Sequence, residues 1–219
     1  AEASQIRERT ALVAHGGYGR RQQAPYSDVD LMILYEGKRD SLIGQLASRM
    51  TQDICDVYQN LGQSLRTPAE AAQMARGDAQ IGTSLLESRQ LLGNPAVYQR
   101  FAELMKSLRE KRSAGLAKDF IAERRKERLE YGETEYLLEP NVKRSRGGLR
   151  DIHLLRWLWY LRSGVADPDR LFDMGVMSKF DHRRLMTSQL FLLRVRNEMH
   201  FHAGEACDLL SRAEQVRLA

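Results

Sequence analysis

The chain has 219 residues, 42% hydrophobic and 29% charged, with 34 basic against 29 acidic side chains and a formal net charge of +5. This balance describes a globular polypeptide long enough to bury a core and excludes a disordered or low-complexity one. No apolar run approaches the ~20 residues of a membrane helix, and the polar, charged start from Ala1 to Thr10 is not followed by the apolar stretch of a signal peptide. The two cysteines, Cys55 and Cys207, lack any CxxC or metal-finger spacing. They read as free thiols in a reducing compartment, hence a cytoplasmic protein. The chain begins at Ala1 rather than Met and soon enters an apolar segment, so it reads as a piece of something longer.

Two short apolar runs of strand length come first. Ala11-Leu12-Val13-Ala14-His15 runs into Gly16-Gly17-Tyr18-Gly19-Arg20, and Val29 to Tyr35 follows the turn-prone Pro25-Tyr26-Ser27. Between Asp40 and Tyr58 the apolar positions Leu42, Ile43, Leu46, Met50, Ile54 and Val57 recur at helical spacing. A third strand is expected over Tyr58 to Arg66. Thr67-Pro68-Ala69-Glu70 starts a helix, with a capping Thr, Pro at the first helical position and Glu three residues on. Further helices are expected over Ala96 to Leu108, over Ser113 to Tyr131 ending at Gly132, and over Asp151 to Ser163, which is apolar enough to be buried. Ser178 caps a last long helix reaching about His202. The fold class is α+β: a small mixed-sheet α/β core over residues 1–95, joined near Gly93-Asn94-Pro95 to a mostly helical domain over residues 96–219 that completes a cleft. Internal repeats are absent.

The residues that carry chemistry are Gly16, Gly17, Gly19 and Arg20, then Asp28 and Asp30. Residues two apart on a strand share a face, about 7 Å apart, so Asp28 and Asp30 present two carboxylates together while Val29 and Leu31 point to the core. Like charges held together call for a cation. Magnesium, a hard ion that shares its shell with substrate phosphates, suits them. Glycines let backbone N–H groups converge on phosphate oxygens, and Arg20 and Arg21 add positive charge. An Asp-x-Asp at a strand start is also common turn chemistry, and a lone glycine cluster is a weak signal. Their combination, flanked by two strands, favours phosphoryl-transfer chemistry.

This stretch resembles the nucleotidyltransferase superfamily that includes DNA polymerase beta. Leu138-Glu139-Pro140-Asn141-Val142-Lys143 and Arg146-Gly147-Gly148-Leu149-Arg150-Asp151-Ile152-His153 narrow the likeness to the bacterial uridylyltransferases that modify the PII nitrogen-signalling protein. Leu85-Leu86-Glu87-Ser88-Arg89 and Arg196 to His202 are shared as well. The resemblance implies transfer of UMP from UTP to a tyrosine of PII, with Asp28 and Asp30 catalytic and holding magnesium ions. It also implies Gly16, Gly17 and Arg20 near the triphosphate, and Lys143, Gly147, Gly148, Arg150 and Asp151 at the opposite wall. Gly147-Gly148 ahead of a helix would offer free N–H groups to an anion; a tight helix entry is the plainer reading. The superfamily's third carboxylate is expected within residues 56–64. Asn60 is the nearest match and is neutral, leaving Asp56 as a substitute metal ligand.

Other features take ordinary readings. His200 and His202 fall on different helix faces, Trp157 and Trp159 read as core anchors, and Arg124 to Arg128 interleaved with Glu123, Glu127 and Glu130 reads as a solvated, paired face. That pairing disfavours nucleic acid as a partner. Two alternatives stay open: an adenylyltransferase of the glutamine synthetase type, and a non-catalytic nucleotide-binding or PII-docking module.

Overall fold

A computed structural model describes residues 2–38, 40–56 and 60–219, and of Glu2, Ala3 and Cys55 the backbone alone. The expected start of the third strand at Tyr58 and the thiol of Cys55 therefore lie outside what is described. The chain divides into two compact units: Ala1–Gln23 with Ser27–Arg112, and Ala24–Tyr26 with Ser113–Ala219.

The first unit runs α1 (Glu2–Arg9), β1 (Thr10–Ala14), α2 (Gly16–Gly19), β2 (Val29–Tyr35), α3 (Ser41–Cys55), β3 (Leu61–Arg66), α4 (Pro68–Gly77), α5 (Ala79–Leu86) and β4 (Arg89–Gly93). The strands form one mixed sheet in the order β3-β2-β1-β4. β1 pairs antiparallel with β2 and with β4, and β2 pairs parallel with β3. The parallel pair needs a crossover, which α3 supplies. Asp40 caps α3 by accepting the Ile43 N–H at 3.1 Å. At α4 the expected capping box is complete, with Thr67 Oγ1 accepting from Glu70 N at 3.2 Å and Glu70 Oε2 accepting from Thr67 N at 2.7 Å.

β2 is covered on both sides from Leu31 onward. Ala11, Val13, Met32 and Leu34 pack against Ala71, Ala75, Leu85, Val97, Phe101 and Met105. The last three belong to α6 (Pro95–Tyr131), which leaves helical geometry only at Arg112, with φ −136° and ψ 16°. The two helices expected there thus lie on either side of a kink at that residue. Because residues 95–111 bury their apolar face on the sheet, the first unit extends to Arg112 instead of ending at Gly93-Asn94-Pro95.

The second unit contains residues 113–131 of α6, then α7 (Leu149–Ser163), α8 (Pro168–Asp173), α9 (Lys179–Ala203) and α10 (Arg212–Leu218). Ser178 caps α9 as expected, accepting from Asp181 N at 3.0 Å. Phe120 meets Trp157 edge to face, with centroids 6.3 Å apart. α7 is buried along Leu149, Ile152, His153, Trp157 and Leu161 but leaves Leu155 44% exposed, so it is one-sided rather than fully buried. Among the described residues no helix is long and apolar enough to cross a membrane.

Candidate functional site

In the first unit the chain leaves β1 at His15, turns through α2, and returns to the head of β2. His15 N donates to Asp30 O at 3.1 Å, which ties the glycine turn to the aspartate strand. Side chains alternate along β2, so Asp30 shares a face with Met32 and Leu34 but stands at the open end of the strand. Its carboxylate occupies space that two glycines leave clear. A Cβ at Gly16 would come 2.5 Å from Asp30 Oδ2, and one at Gly62 would come 2.8 Å from Asp30 Oδ1. Gly16 also has φ +57°, a conformation that side-chain-bearing residues rarely adopt. Asp28 directly precedes β2 and is exposed. The Gln23 side-chain amide holds that approach by donating to Ser27 O at 2.9 Å and Asp28 O at 3.3 Å. His15 Nδ1 lies 2.7 Å from Ser84 Oγ. Burial pushes the His15 imidazole below its ordinary pKa, against the opposing pull of the Asp30 charge.

Arg20 does not stand free beside the glycines. Its guanidinium is ion-paired with Glu87, the two side chains being 7% and 3% exposed. Arg89 donates from Nε to Gly19 O at 3.2 Å and from Nη2 to Tyr18 O at 3.1 Å, and lies over the Tyr18 ring. Gly19 itself packs so closely on the Glu87 carbonyl that no Cβ fits. The Leu85 to Arg89 stretch, singled out in the sequence without a role, is therefore the support of the glycine turn. Arg21, next in the chain, is exposed and held at φ +60°.

The third carboxylate remains unfilled by β3, whose residues from Leu61 to Arg66 include no acid. Val29 N donates to Asn60 O at 2.8 Å, and Val29 is in register with Leu61, so Asn60 falls opposite Asp28. Asp56 is not on an extended segment; it is the exposed C-cap of α3. Among the described residues no group of three or more His, Cys, Asp or Glu side chains is arranged to hold a metal, with Asp56 or without it.

In the second unit the residues of the Gly-Gly-Leu-Arg-Asp stretch are brought together, but with their amides already engaged. Gly147 N donates to Asp151 Oδ2 at 2.8 Å. Gly148 N, Leu149 N and Arg150 N donate to Ser145 O, Val142 O and Lys143 O. The free N–H groups expected at this helix start are not there, and the tight-entry reading is the correct one. Gly148 is required because a Cβ would stand 2.8 Å from Val142 O. Asp151 also accepts from Arg124 Nε at 2.7 Å and Arg128 Nη2 at 2.6 Å. Burial works against its ionised form, but the hydrogen bonds from Arg128, Gly147 N and Arg124 together hold the carboxyl below its usual range. Arg124 is only 3% exposed and spends its other donors on Glu127, Arg144 O and Ser145 O. The solvated basic face expected there is in this part a buried staple.

Lys143 has a different standing. Its nearest carboxylate oxygen, Asp208 Oδ2, is 3.9 Å from Nζ, beyond hydrogen-bond length, and its side chain is 27% exposed. Burial first, then the positive charges of Arg196, Arg150 and Arg144 against the pull of Asp208, bring its pKa down to about 8. Asp208 is shared with Arg196 Nε at 2.6 Å and His200 Nε2 at 3.0 Å. His200 Nδ1 also meets Pro25 O, while His202 pairs with Glu214 at 2.8 Å, so the two histidines serve separate partners.

Residues 116–219 match the family described as GlnD PII-uridylyltransferase. Over 213 residues, 95% of this chain, it is 38% identical to a bifunctional uridylyltransferase/uridylyl-removing enzyme of Pseudomonas syringae pv. tomato. It is 36% identical over 216 residues to the enzyme so named from Bradyrhizobium diazoefficiens, and 38% identical over 203 residues to that of Azotobacter vinelandii. The chain spans about 23% of the length of the first two relatives and 22% of the third. The likeness reaches well beyond the matched family segment and takes in the glycine turn and Asp28–Asp30.

Proposed function

We propose that this chain carries the transfer site of a protein uridylyltransferase, moving UMP from UTP to a tyrosine hydroxyl of a PII-type signalling protein in the cytoplasm. The observation that carries the reading is the lodging of the Asp30 carboxylate between Gly16 and Gly62, at the strand head that Asp28 precedes. Asp28 and Asp30, with no acid on the neighbouring strand β3, suit magnesium, which takes one or two protein oxygens and fills its shell from water and phosphate. Asp28 and Asp30 would hold that ion, which would supply charge neutralisation on the triphosphate.

The chain's own residues do the positioning. The amides of Gly16 and Gly17 open a helical turn, where N–H groups have no intrahelical acceptor, and would receive phosphate oxygens. Lys143 and Arg150 would add positive charge, with Gly147, Gly148 and Asp151 shaping the turn that carries them. The tyrosine oxygen attacks the α-phosphorus, a new P–O bond forms, and the bond to the pyrophosphate leaving group breaks as the hydroxyl proton passes to solvent. The test is incubation with labelled UTP, magnesium and PII: label on a PII tyrosine supports the reading, and unlabelled PII beside an active full-length relative rejects it.

One observation favours a second reading, a nucleotide-binding or PII-docking module without turnover. Asn60 falls opposite Asp28 where an acid would support a second ion and the attacking hydroxyl. On this reading UTP binds but is not consumed, and Asn60→Glu brings in transfer that the wild type lacks.

A further inference from the structure

We propose that Glu87, Arg20 and Arg89 form a clamp that positions the glycine turn for the triphosphate, with Arg20 acting inside the clamp rather than on phosphate. The proposal rests on the nucleotide-site reading above and assigns the work of that site differently from the motif. Three observations converge on it. The Arg20–Glu87 pair is almost wholly withdrawn from solvent, at 7% and 3% exposure, so the arginine charge is already matched where a phosphate would need it unmatched. Arg89 takes the carbonyls of Tyr18 and Gly19, the last two residues of α2, with two donors of one planar guanidinium. Gly19 lets the turn seat directly on the Glu87 carbonyl, so the backbone and side chain of Glu87 both bear on it.

A four-residue helix has almost no stability of its own. Its amides can converge on an anion only if something outside fixes the turn, and the carbonyl end is where these side chains take hold. His15 N to Asp30 O fixes the other end. The clamp thus sets the distance between the turn's amides and the Asp30 carboxylate, on which shared binding of one triphosphate depends.

The experiment measures Mg-dependent UTP affinity and thermal stability for the full chain and for Arg20→Met, Glu87→Gln, Arg20→Met/Glu87→Gln and Arg89→Lys. Each single variant is expected to weaken UTP affinity by about tenfold or more, since small misplacements of positioning groups carry costs of that size. In the double variant no unmatched buried charge remains, so stability recovers toward wild type. Affinity nonetheless stays as low as in the weaker single variant, because the clamp is still absent. A purely structural pair would restore affinity along with stability. An arginine that touches phosphate would give weak binding in Arg20→Met and undiminished binding in Glu87→Gln. Either pattern overturns the clamp while leaving the nucleotide site standing. Absence of UTP binding in the wild type overturns the site reading and the clamp with it.

Discussion

Asp30 and Gly16 share one space: the aspartate carboxylate reaches within 2.5 Å of where a side chain at position 16 would begin. The glycine is therefore a condition for the carboxylate's placement as well as for the backbone conformation. Gly16→Ala is expected to cost about 1–2 kcal/mol from the left-handed conformation alone and to remove UTP binding by displacing Asp30. Gly62→Ala should displace Asp30 without backbone strain, since no positive φ is required there. Gly44→Ala, within α3 with open space around it, is the control and should stabilise by up to ~1 kcal/mol. Thermal melts and UTP titrations of the three variants separate these outcomes.

Arg124, with 3% of its surface exposed, joins α6 to the turn at residues 144–151 through Asp151 and the carbonyls of Arg144 and Ser145, and pairs with Glu127 on its own helix. Removing it leaves Asp151 and Glu127 short of a partner, though Arg128 still reaches Asp151. Arg124→Met should cost about 3–5 kcal/mol in urea denaturation. A change within the range of ordinary surface substitutions would show that the staple does not carry the turn.

Lys143 gives a pH dependence of definite sign. Its folded pKa of about 8 lies below the ordinary 10.5, so the fold disfavours the protonated ammonium. Its contribution to stability is fully present above the unfolded value and is lost as pH falls from there toward 8. Lys143→Met should therefore be more stable than wild type at pH 7, by about 1–2 kcal/mol, with the advantage fading as pH rises toward 10. Melting curves at pH 7 and pH 10 check it. A variant less stable than wild type at pH 7 would show that the Asp208 contact outweighs burial and the crowding by arginines.

What the sequence made legible was local. The Thr67–Glu70 box, the Ser178 cap and the strand at residues 29–35 each depend on residues a few positions apart, and each forms as read. The family likeness, too, was carried by short contiguous motifs. What stayed hidden depends on partners far along the chain. β4 is a short strand with Leu92 67% exposed, recognisable only through its pairing with β1. Arg124 sits in a run of alternating charges that resembles a wet helix face, and its burial is decided by Asp151 and by carbonyls of the turn at 144–145. Arg20 looks like a phosphate ligand until Glu87 is brought to it by the β1–β4 pairing. The amides at Gly147 and Gly148 look available until the Asp151 carboxylate and the Ser145 carbonyl are brought to them as acceptors.

The most direct test of the account is calorimetric titration of UTP into the wild-type chain, Asp28→Asn and Asp30→Asn, with and without magnesium. The account predicts binding that needs magnesium in the wild type and loses that dependence in both variants. Undiminished, magnesium-dependent binding in either variant would contradict it.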